Sequence, residues 1–412
     1  MVWCSAGAPK DAPIRLLWLA GGTFANLPSD LALELRYYLP RWLKEHLPRL
    51  YRDNRARALA VFDGVCVPYP STSAELTRSS IGNAIVSGVE QRQSPVSIGK
   101  AINSPVGVLA ESLWLLLPTK ASQKRKMPVA IGERLQRLFN VPGDGGGHAV
   151  CVVAQHMGWI DYCYNAWGRH VVLPFFNLEH RHSEAAWHGI MRDHNGLTPS
   201  TFAALKAAFL GILSGDTPWK LDKSEHRVQI QRLVHLTRPA TGRQSYLSFT
   251  EAREALVEVD DQGRADAIWT LGSILKQGTS EREWTSFVKP FLDKAWPRQM
   301  RFRTDTVARG FARLAECSGE SFESAVSTIL PFLRPVSHLD MITYRIAKEE
   351  KNGQQNFASR FPAATLKLLD ALIADDRSQM PHELGTVLRV IAEADPSQRV
   401  SKAWRRLNEL GG

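Results

Sequence analysis

The stretch Phe249-Thr250-Glu251-Ala252-Arg253-Glu254-Ala255-Leu256 places apolar or small residues at the third and seventh positions after an aromatic residue. The same skeleton returns three times along the chain, led by Trp284, Phe322 and Phe361. The four aromatic residues are 35, 38 and 39 positions apart, and such a period is typical of stacked helical hairpins. The followers are Ala252 and Leu256, Phe287 and Phe291, Ala325 and Ile329, and Ala364 and Leu368. We therefore predict an all-α fold, a HEAT-like α-solenoid of helical hairpins with little or no β-structure.

Helical periodicity extends to both sides of this repeat. Within residues 200–213, for example, Phe202, Leu205, Phe209 and Leu213 share one helical face. The polar, basic segment from Pro118 to Met127 reads as a linker. We predict three regions: a basic helical N-terminal region (1–127), a helical region with a Gly-rich loop (128–240), and a helical-repeat region continuous with it (241–412).

Local signals predict where helices of the repeat begin and end. Thr250 and Ser280 are expected to cap helices, and Ser280 with Glu283 matches a capping box. Proline lacks an N–H group and clashes with the preceding turn, so helices should kink or end near Pro290 and Pro331.

Composition limits the classes of protein that fit the chain. Of the 412 residues, 44% are hydrophobic and 22% are charged, which favours a folded protein over a disordered one. The five cysteines are scattered, form no Cys-x-x-Cys pair and are odd in number, which argues against a disulfide framework. No apolar run approaches the length of a membrane span. We predict a cytoplasmic protein that does not enter a membrane.

The positive charge is concentrated in the first third of the chain. The whole sequence has 51 Lys and Arg against 41 Asp and Glu, a net charge of +10. The first 130 residues alone contain 16 basic and 9 acidic residues. Such an excess fits a nucleic-acid partner, but it also fits a surface that simply keeps the protein soluble.

One short segment combines arginines with aromatic residues, Trp296-Pro297-Arg298-Gln299-Met300-Arg301-Phe302-Arg303. Guanidinium groups bind phosphate or carboxylate in bidentate fashion, so Arg298, Arg301 and Arg303 are candidate contacts for an anion or a partner. The alternative is a helix-end loop in which Trp296 and Phe302 pack and the arginines meet acidic neighbours such as Asp305.

The only Gly-rich segment is Gly143-Asp144-Gly145-Gly146-Gly147-His148. Bare backbone amides in such a segment can bind phosphate. However, no Gly-Lys-Ser/Thr follows the glycines and no strand is predicted before them, so we expect a flexible loop between two helices.

Four histidines, His180, His182, His188 and His194, lie close together in the sequence near acidic residues. Imidazole and carboxylate groups are zinc ligands, but the His180-x-His182 spacing does not place both rings on one helical face. Surface or packing roles are the alternative. The sequence also lacks a Gly-x-Ser-x-Gly elbow, and we assign no catalytic residue, cofactor or metal.

A set of aromatic, proline and glycine markers resembles a known architecture. The first group comprises residues 138–145, Gly158-Trp159, Trp167, Leu173-Pro174, Ala186-Trp187-His188-Gly189 and Leu197-Thr198-Pro199. The second comprises Trp284, Lys289-Pro290-Phe291, Trp296-Pro297-Arg298, Phe361-Pro362, Leu384-Gly385 and Trp404-Arg405-Arg406-Leu407. Over about residues 133–410 the chain resembles the C-terminal helical region of uncharacterised bacterial proteins that often carry an N-terminal sirtuin domain.

The resemblance implies a helical module that senses, assembles or restrains an NAD-consuming effector in anti-phage defence. The chain departs from that architecture because it shows no sirtuin glycine-rich NAD loop, no Gln-Asn-x-Asp segment and no catalytic His-Gly context. NAD hydrolysis is therefore carried over to no residue here. We expect a truncated relative, a split system with a separate enzyme, or a fragment.

The sequence thus predicts a non-catalytic recognition or regulatory module that binds an effector protein, of sirtuin or nuclease type. Two alternatives stay open. One is a nucleic-acid-binding helical array that uses the basic N-terminal third with Arg298, Arg301 and Arg303. The other is an enzyme with a site near His148 or His180.

Overall fold

A computed structural model describes residues 12–86, 88–91, 94–118, 125–193, 196–215, 217–239, 245–337, 339–347, 356–376 and 380–411. Part of the sequence-predicted linker, 119–124, and His194 lie outside these residues. The chain divides into two compact units. The first contains the chain up to Phe209 together with Thr217–Glu225, and the second contains Leu210–Asp216 and the chain from His226 onward.

Thirteen α-helices, two of which continue into the second unit, form most of the described part of the first unit. They are α1 (Ile14–Ala25), α2 (Ser29–Glu34), α3 (Leu39–Asp53), α4 (Arg55–Cys66), α5 (Ile98–Ala101), α6 (Pro105–Trp114), α7 (Val129–Phe139), α8 (Asp144–Ala154), α9 (Met157–Cys163), α10 (Asn165–Trp167), α11 (Ser183–Ile190), α12 (Pro199–Ser214) and α13 (Lys223–Thr237). Helices α12 and α13 contribute residues to both units.

Helix α8 lies in the core of the first unit, against α6, α7 and α11, and all but its first residue are buried. Nine of its eleven residues are Gly, Ala, Cys or Val, so neighbouring helices can approach it closely. A single short hairpin, β1 (Ala84–Val86) antiparallel to β2 (Val89–Gln91), is the only sheet within the described residues. The prediction of an all-α fold with little β-structure is confirmed.

The second unit continues with eleven helices in the described residues. They are α14 (Phe249–Glu258), α15 (Asp261–Gln277), α16 (Ser280–Glu283), α17 (Lys289–Lys294), α18 (Asp305–Cys317), α19 (Phe322–Ile329), α20 (Asp340–Ala347), α21 (Phe357–Arg360), α22 (Pro362–Leu372), α23 (Leu384–Ala394) and α24 (Lys402–Gly411).

These helices pack in two parallel series. In one series α14 contacts α17, α17 contacts α19, and α19 contacts α22. In the other α15 contacts α18, α18 contacts α20, and α20 contacts α23. Each helix of a series therefore packs against the helix that follows it about one sequence period later.

The aromatic repeat forms the core of the first series. All eight apolar followers of the four aromatic residues are buried. Trp284 and Phe322 are buried as well, whereas Phe249 and Phe361 are partly exposed. The rings also meet across helices: Phe249 lies 6.3 Å from Phe291, and Phe322 lies 5.5 Å from Phe361, centroid to centroid.

The prolines act as expected and the caps do not. The helical segment from Ser280 to Lys294 passes through a π-helical stretch, Trp284–Val288, just before Pro290. Helix α19 ends at Ile329, before Pro331. The capping box, however, is formed by Ser248 and Glu251, and Ser280 lies inside its helix after Thr279. The predictions of Thr250 and Ser280 as caps were wrong by two residues and one residue.

Among the described residues, no helix combines the length and apolar character needed to cross a membrane.

Candidate functional site

The structure separates the three sequence-predicted arginines. Arg298 and Arg303 line the same cavity, together with Lys289 of α17. Arg301 is exposed and is not among the lining residues; its guanidinium carbon lies 4.6 Å from the centroid of the Phe302 ring. Trp296 and Phe302 are buried, as the packing alternative predicted. Asp305 pairs with Arg334 (Nε to Oδ1, 3.4 Å).

A second depression, which we term the basic groove, crosses the series formed by α15, α18 and α20. Its lining residues recur at helical spacing, so each helix contributes one face. From α15 these include Gln262, Asp266, Trp269, Ser273 and Lys276; from α18, Arg309, Arg313 and Cys317; from α20, Met341 and Arg345; and from α13, Arg227. The cavity volume is about 330 Å³.

Small residues let the groove helices approach closely. A Cβ atom added to Gly310 would lie 3.3 Å from Ile268 Cδ1, closer than an ordinary van der Waals contact. A Cβ atom at Gly272 would lie 3.5 Å from Cys317 Sγ. Because α15 and α18 meet at these two glycines, the longer side chains beside them line an open groove above the contact.

The groove is strongly cationic. Five lining residues are basic, Arg227, Lys276, Arg309, Arg313 and Arg345, whereas Asp266 is the acidic lining residue. The Asp266 carboxylate is already engaged by Arg227 Nε at 3.1 Å and by Gln262 Nε2 at 3.2 Å. With five basic residues and Asp266, the formal charge of the lining is +4.

Large apolar side chains stand exposed beside these charges. Trp269 is 45% exposed and Met341 is 64% exposed, although both lie in the lining of the groove. The Arg227 guanidinium carbon is 5.9 Å from the Trp269 ring centroid. Exposed aromatic and methionine side chains rimmed by cations are typical of a binding surface.

Glu316 lies behind the groove and adds a titratable group to it. Burial raises the pKa of its carboxyl to about 7, against the opposing effect of Arg345, Arg313 and Lys276. Arg345 Nε lies 3.4 Å from Glu316 Oε2, and the Glu316 side chain is 11% exposed. The charge of the groove therefore depends on pH near neutrality.

The histidines that suggested a metal site have other partners. His148 Nε2 lies 2.9 Å from Pro95 O, and His182 Nε2 lies 2.9 Å from Phe139 O. The His182 amide donates to His180 Nδ1 at 3.0 Å. Burial lowers the pKa of His148, and it lowers that of His182 to about 4. Within the described ranges, no three His, Cys, Asp or Glu side chains are grouped to hold a metal.

His188 is held between two carboxylates. Its Nδ1 lies 2.6 Å from Glu225 Oε1 and its Nε2 lies 3.6 Å from Glu184 Oε1, with the ring 1% exposed. Burial opposes the charge on the ring, but the two carboxylates outweigh burial and raise the pKa of His188 to about 9. The three groups form a buried ion triad that joins α11 to α13.

The Gly-rich segment is not the flexible loop that the sequence predicted. Asp144–Ala154 is helix α8, and Gly145, Gly146 and Gly147 are buried in its first turns. An added Cβ would lie 2.9 Å from Thr77 Cβ at Gly145 and 2.8 Å from Val96 Cγ1 at Gly147. The glycines are needed for close packing, and only Gly143, at φ +62°, requires the left-handed region.

Basic side chains of the N-terminal third have partners within the first unit. Arg134 and Arg137, which follow the predicted N-terminal region (1–127), both pair with Asp63. Lys44 pairs with Glu111 at 2.7 Å, and the Arg57 guanidinium carbon lies 4.4 Å from the Trp18 ring centroid. These basic residues are thus engaged in intramolecular contacts.

No described protein family matches the sequence. The chain is similar to the uncharacterized protein y4cA of Sinorhizobium fredii, at 21% identity over 314 residues. The similarity covers 76% of this chain but 26% of that protein, so the match corresponds to about a quarter of the curated relative's length.

Proposed function

We propose that the chain is a non-catalytic recognition module and that the basic groove binds an acidic segment of a partner protein. The helices from Phe249 onward form a HEAT-like α-solenoid in this proposal. Its support is the two-series packing, in which α14, α17, α19 and α22 follow one another while α15, α18, α20 and α23 do the same. Such arrays bind partners along the exposed face of one series.

The single observation that carries the proposal is the charge of the basic groove. Five cations from four helices line one depression, and its acidic lining residue, Asp266, already has partners. A groove lined by one sign of charge attracts and orients a segment of the opposite sign.

The lining favours a polypeptide as the occupant. Met341, 64% exposed, lies among the cations, so the groove offers an apolar contact as well as charge. A segment with alternating acidic and apolar side chains matches both properties. A nucleic-acid backbone would match only the charge.

Single-stranded nucleic acid is the second candidate, and Trp269 is the observation that favours it. Its indole is 45% exposed and lies beside Arg227, and Lys276 lines the same groove. Bases stack on exposed aromatic rings while basic side chains follow the backbone.

The resemblance of the chain to sirtuin-associated helical regions suggests the partner class. We extend the proposal to an effector protein of a bacterial anti-phage system, of sirtuin or nuclease type. The similarity to one part of a much longer bacterial protein is consistent with a module that operates beside other domains.

Two labelled probes test the groove directly by fluorescence anisotropy: a peptide of alternating Glu and Leu, and a 20-nucleotide oligothymidylate. We expect the peptide to bind and the variant R309E/R313E to weaken it at least tenfold. The matched control R282E/R389E makes the same charge change at two exposed positions outside the groove lining, and it should bind normally.

Equal affinity of both variants for the peptide would overturn the proposal. Tighter binding of the oligonucleotide, with a steep loss of affinity as salt is raised, would replace it with the nucleic-acid alternative. A protein captured from the native host with the wild-type chain as bait supports the proposal under two conditions. The R309E/R313E variant must fail to capture that protein, and the captured protein must cross-link to Lys276.

A further inference from the structure

The cavity lined by Arg298 and Arg303 lies between α17 and α19, helices of the other series. Its volume is about 470 Å³, within the range of small-molecule sites. Its lining residues are Lys289, Asp293, Arg298, Arg303, Ser324, Ser327, Thr328, Pro331 and Phe332. None of them lines the basic groove, so the two sites can be tested independently.

Two cations of the cavity, Lys289 and Arg298, contact Asp293. Lys289 Nζ pairs with Asp293 Oδ2 at 2.8 Å on α17. Arg298 donates through one terminal nitrogen to the Asp293 backbone carbonyl at 3.1 Å. With Lys289, Arg298 and Arg303 against Asp293, the formal charge of the lining is +2.

Arg303 carries a buried donor atom that has no partner within the described part of the chain. Its Nε atom is buried and has no hydrogen-bond acceptor among the described residues. Part of the guanidinium has therefore already lost its water. A partly dehydrated cation gains more from an anion than a fully hydrated one does, because less water must be displaced on binding.

The opposite side of the cavity supplies hydroxyl groups. Ser324, Ser327 and Thr328 are spaced on α19 so that they share one face. The Thr328 hydroxyl already donates to the Ser324 backbone carbonyl at 2.8 Å, so Ser324 and Ser327 are the candidate donors to a ligand. Ser324 Oγ accepts a hydrogen bond from Trp284 Nε1 at 3.0 Å, so the Ser324 hydroxyl proton remains to be donated. Hydroxyl donors facing guanidinium groups suit an anion with several oxygen atoms.

A buried aromatic cluster holds the segment that carries the arginines. Trp296 lies 4.9 Å from Phe311 and 6.4 Å from Phe332, between ring centroids, and Phe311 lies 5.4 Å from Phe332. The chain between Trp296 and the next helix therefore starts from a rigid base. Pre-positioned side chains lose less conformational entropy when a ligand binds.

We propose that this cavity binds the phosphate group of a small phosphorylated molecule. A phosphate monoester carries close to two negative charges near neutral pH, which matches the +2 lining, and its oxygens can accept from both arginines and from the hydroxyls of Ser324 and Ser327. Phe332 and Pro331 form the apolar end of the cavity, where the rest of a small molecule would lie.

The test is isothermal titration calorimetry with inorganic phosphate and ribose 5-phosphate at constant ionic strength, the balance being chloride. We expect ribose 5-phosphate to bind, and R303Q and K289M each to weaken it at least tenfold. R301Q is the matched control, because Arg301 is two residues from Arg303 and lies outside the cavity. It should bind as the wild type does.

Binding should also weaken as the pH falls below about 6, where the phosphate group takes up its second proton. If R303Q fails to fold, S327A replaces it, with an expected loss of about threefold from one removed hydrogen bond. If inorganic phosphate binds and ribose 5-phosphate does not, the cavity is an anion site, and the proposal that it takes a phosphorylated molecule is overturned. No heat from either phosphate, or equal losses in R301Q and R303Q, would overturn the proposal.

Discussion

Trp284 Nε1 donates a hydrogen bond to Ser324 Oγ over 3.0 Å. This bond joins the repeat led by Trp284 to the repeat led by Phe322. Trp284 is 1% exposed, and Ser324 supplies the acceptor for its N–H group. The indole thus fills the core of the first helix series and fixes its register along α19.

Replacing Trp284 by Phe should lower the free energy of unfolding by about 1–3 kcal/mol, from one lost hydrogen bond and a smaller ring. S324A should cost about 1–3 kcal/mol because it leaves the buried indole N–H unpaired. Urea denaturation of both single variants and the double variant would measure their coupling, expected to be about 1 kcal/mol. Additive effects would show that the bond contributes nothing.

Arg264 is 6% exposed and joins the end of α14 to the start of α15. One terminal nitrogen donates to Leu256 O, at 3.1 Å, and to Val259 O, at 2.5 Å. The other donates to Asp261 Oδ1 at 2.7 Å. We expect R264K to destabilise the protein by roughly 2–4 kcal/mol, because an ammonium cannot reproduce this fork and stays buried. Thermal unfolding of R264K would be compared with that of R253K, a control at an exposed arginine. Equal stabilities of the two variants would contradict the prediction.

The N-cap of α14 is Ser248 in the structure, whereas the sequence predicted Thr250. The Ser248 hydroxyl accepts from the Glu251 amide at 3.2 Å, and Glu251 Oε2 accepts from the Ser248 amide at 2.7 Å. We expect S248A to cost about 1 kcal/mol and T250A, at the sequence-predicted cap, no more than about 0.5 kcal/mol. The reverse order in chemical denaturation would favour the sequence-based assignment.

The core of the repeat could be read from the sequence because it depends on local spacing. Side chains three and seven positions after Phe322 lie on its helical face, so their apolar character alone predicts burial. The cap at Ser248 was missed by two residues because Thr250 is an equally good cap in composition. Helix ends depend on backbone geometry that composition does not specify.

The basic groove could not be read from the sequence because its residues are brought together only by packing. Arg227 and Arg345 are separated by more than a hundred positions and line one groove only because α15 and α18 pack between α13 and α20. The local signal was limited to Arg309 and Arg313, one helical turn apart on a helix whose other face is apolar. Likewise, the glycines of α8 suggested a loop, since their close contacts come from distant residues such as Thr77.

The ion triad at His188 predicts a loss of stability at alkaline pH. The pKa of His188 is raised to about 9 in the folded protein, above its ordinary value of 6.5. Its stabilisation is therefore fully present below pH 6.5 and is lost as the pH rises through about 9. The partners facing the ring are Glu184 and Glu225, whose charges remain when the ring loses its proton.

We expect the urea midpoint of the wild type to fall between pH 6.5 and 9.5, and H188Q to flatten that change while lowering stability at pH 6.5 by roughly 2–3 kcal/mol. The control H170Q alters an exposed histidine and should keep the wild-type pH dependence. A wild-type slope retained in H188Q would show that other groups cause it.

Glu316 predicts a pH dependence of binding as well as of stability. Its folded pKa of about 7 exceeds its ordinary value of 4.5, so the contribution of this carboxyl to stability is greatest below pH 4.5 and is lost as the pH rises to about 7. E316Q should therefore raise the free energy of unfolding at pH 8 by roughly 1–3 kcal/mol.

The same proton changes the charge of the basic groove. At pH 6 Glu316 is mostly neutral, and the cations that face it, Arg313, Arg345 and Lys276, act on an acidic peptide without an opposing carboxylate. We expect the Glu-Leu peptide to bind several-fold more tightly at pH 6 than at pH 8, because its own carboxylates stay ionised over that range. E316Q should bind equally at both pH values, near the wild-type affinity at pH 6. Fluorescence anisotropy would measure both affinities. A pH dependence of peptide binding that is retained in E316Q would show that Glu316 does not cause it.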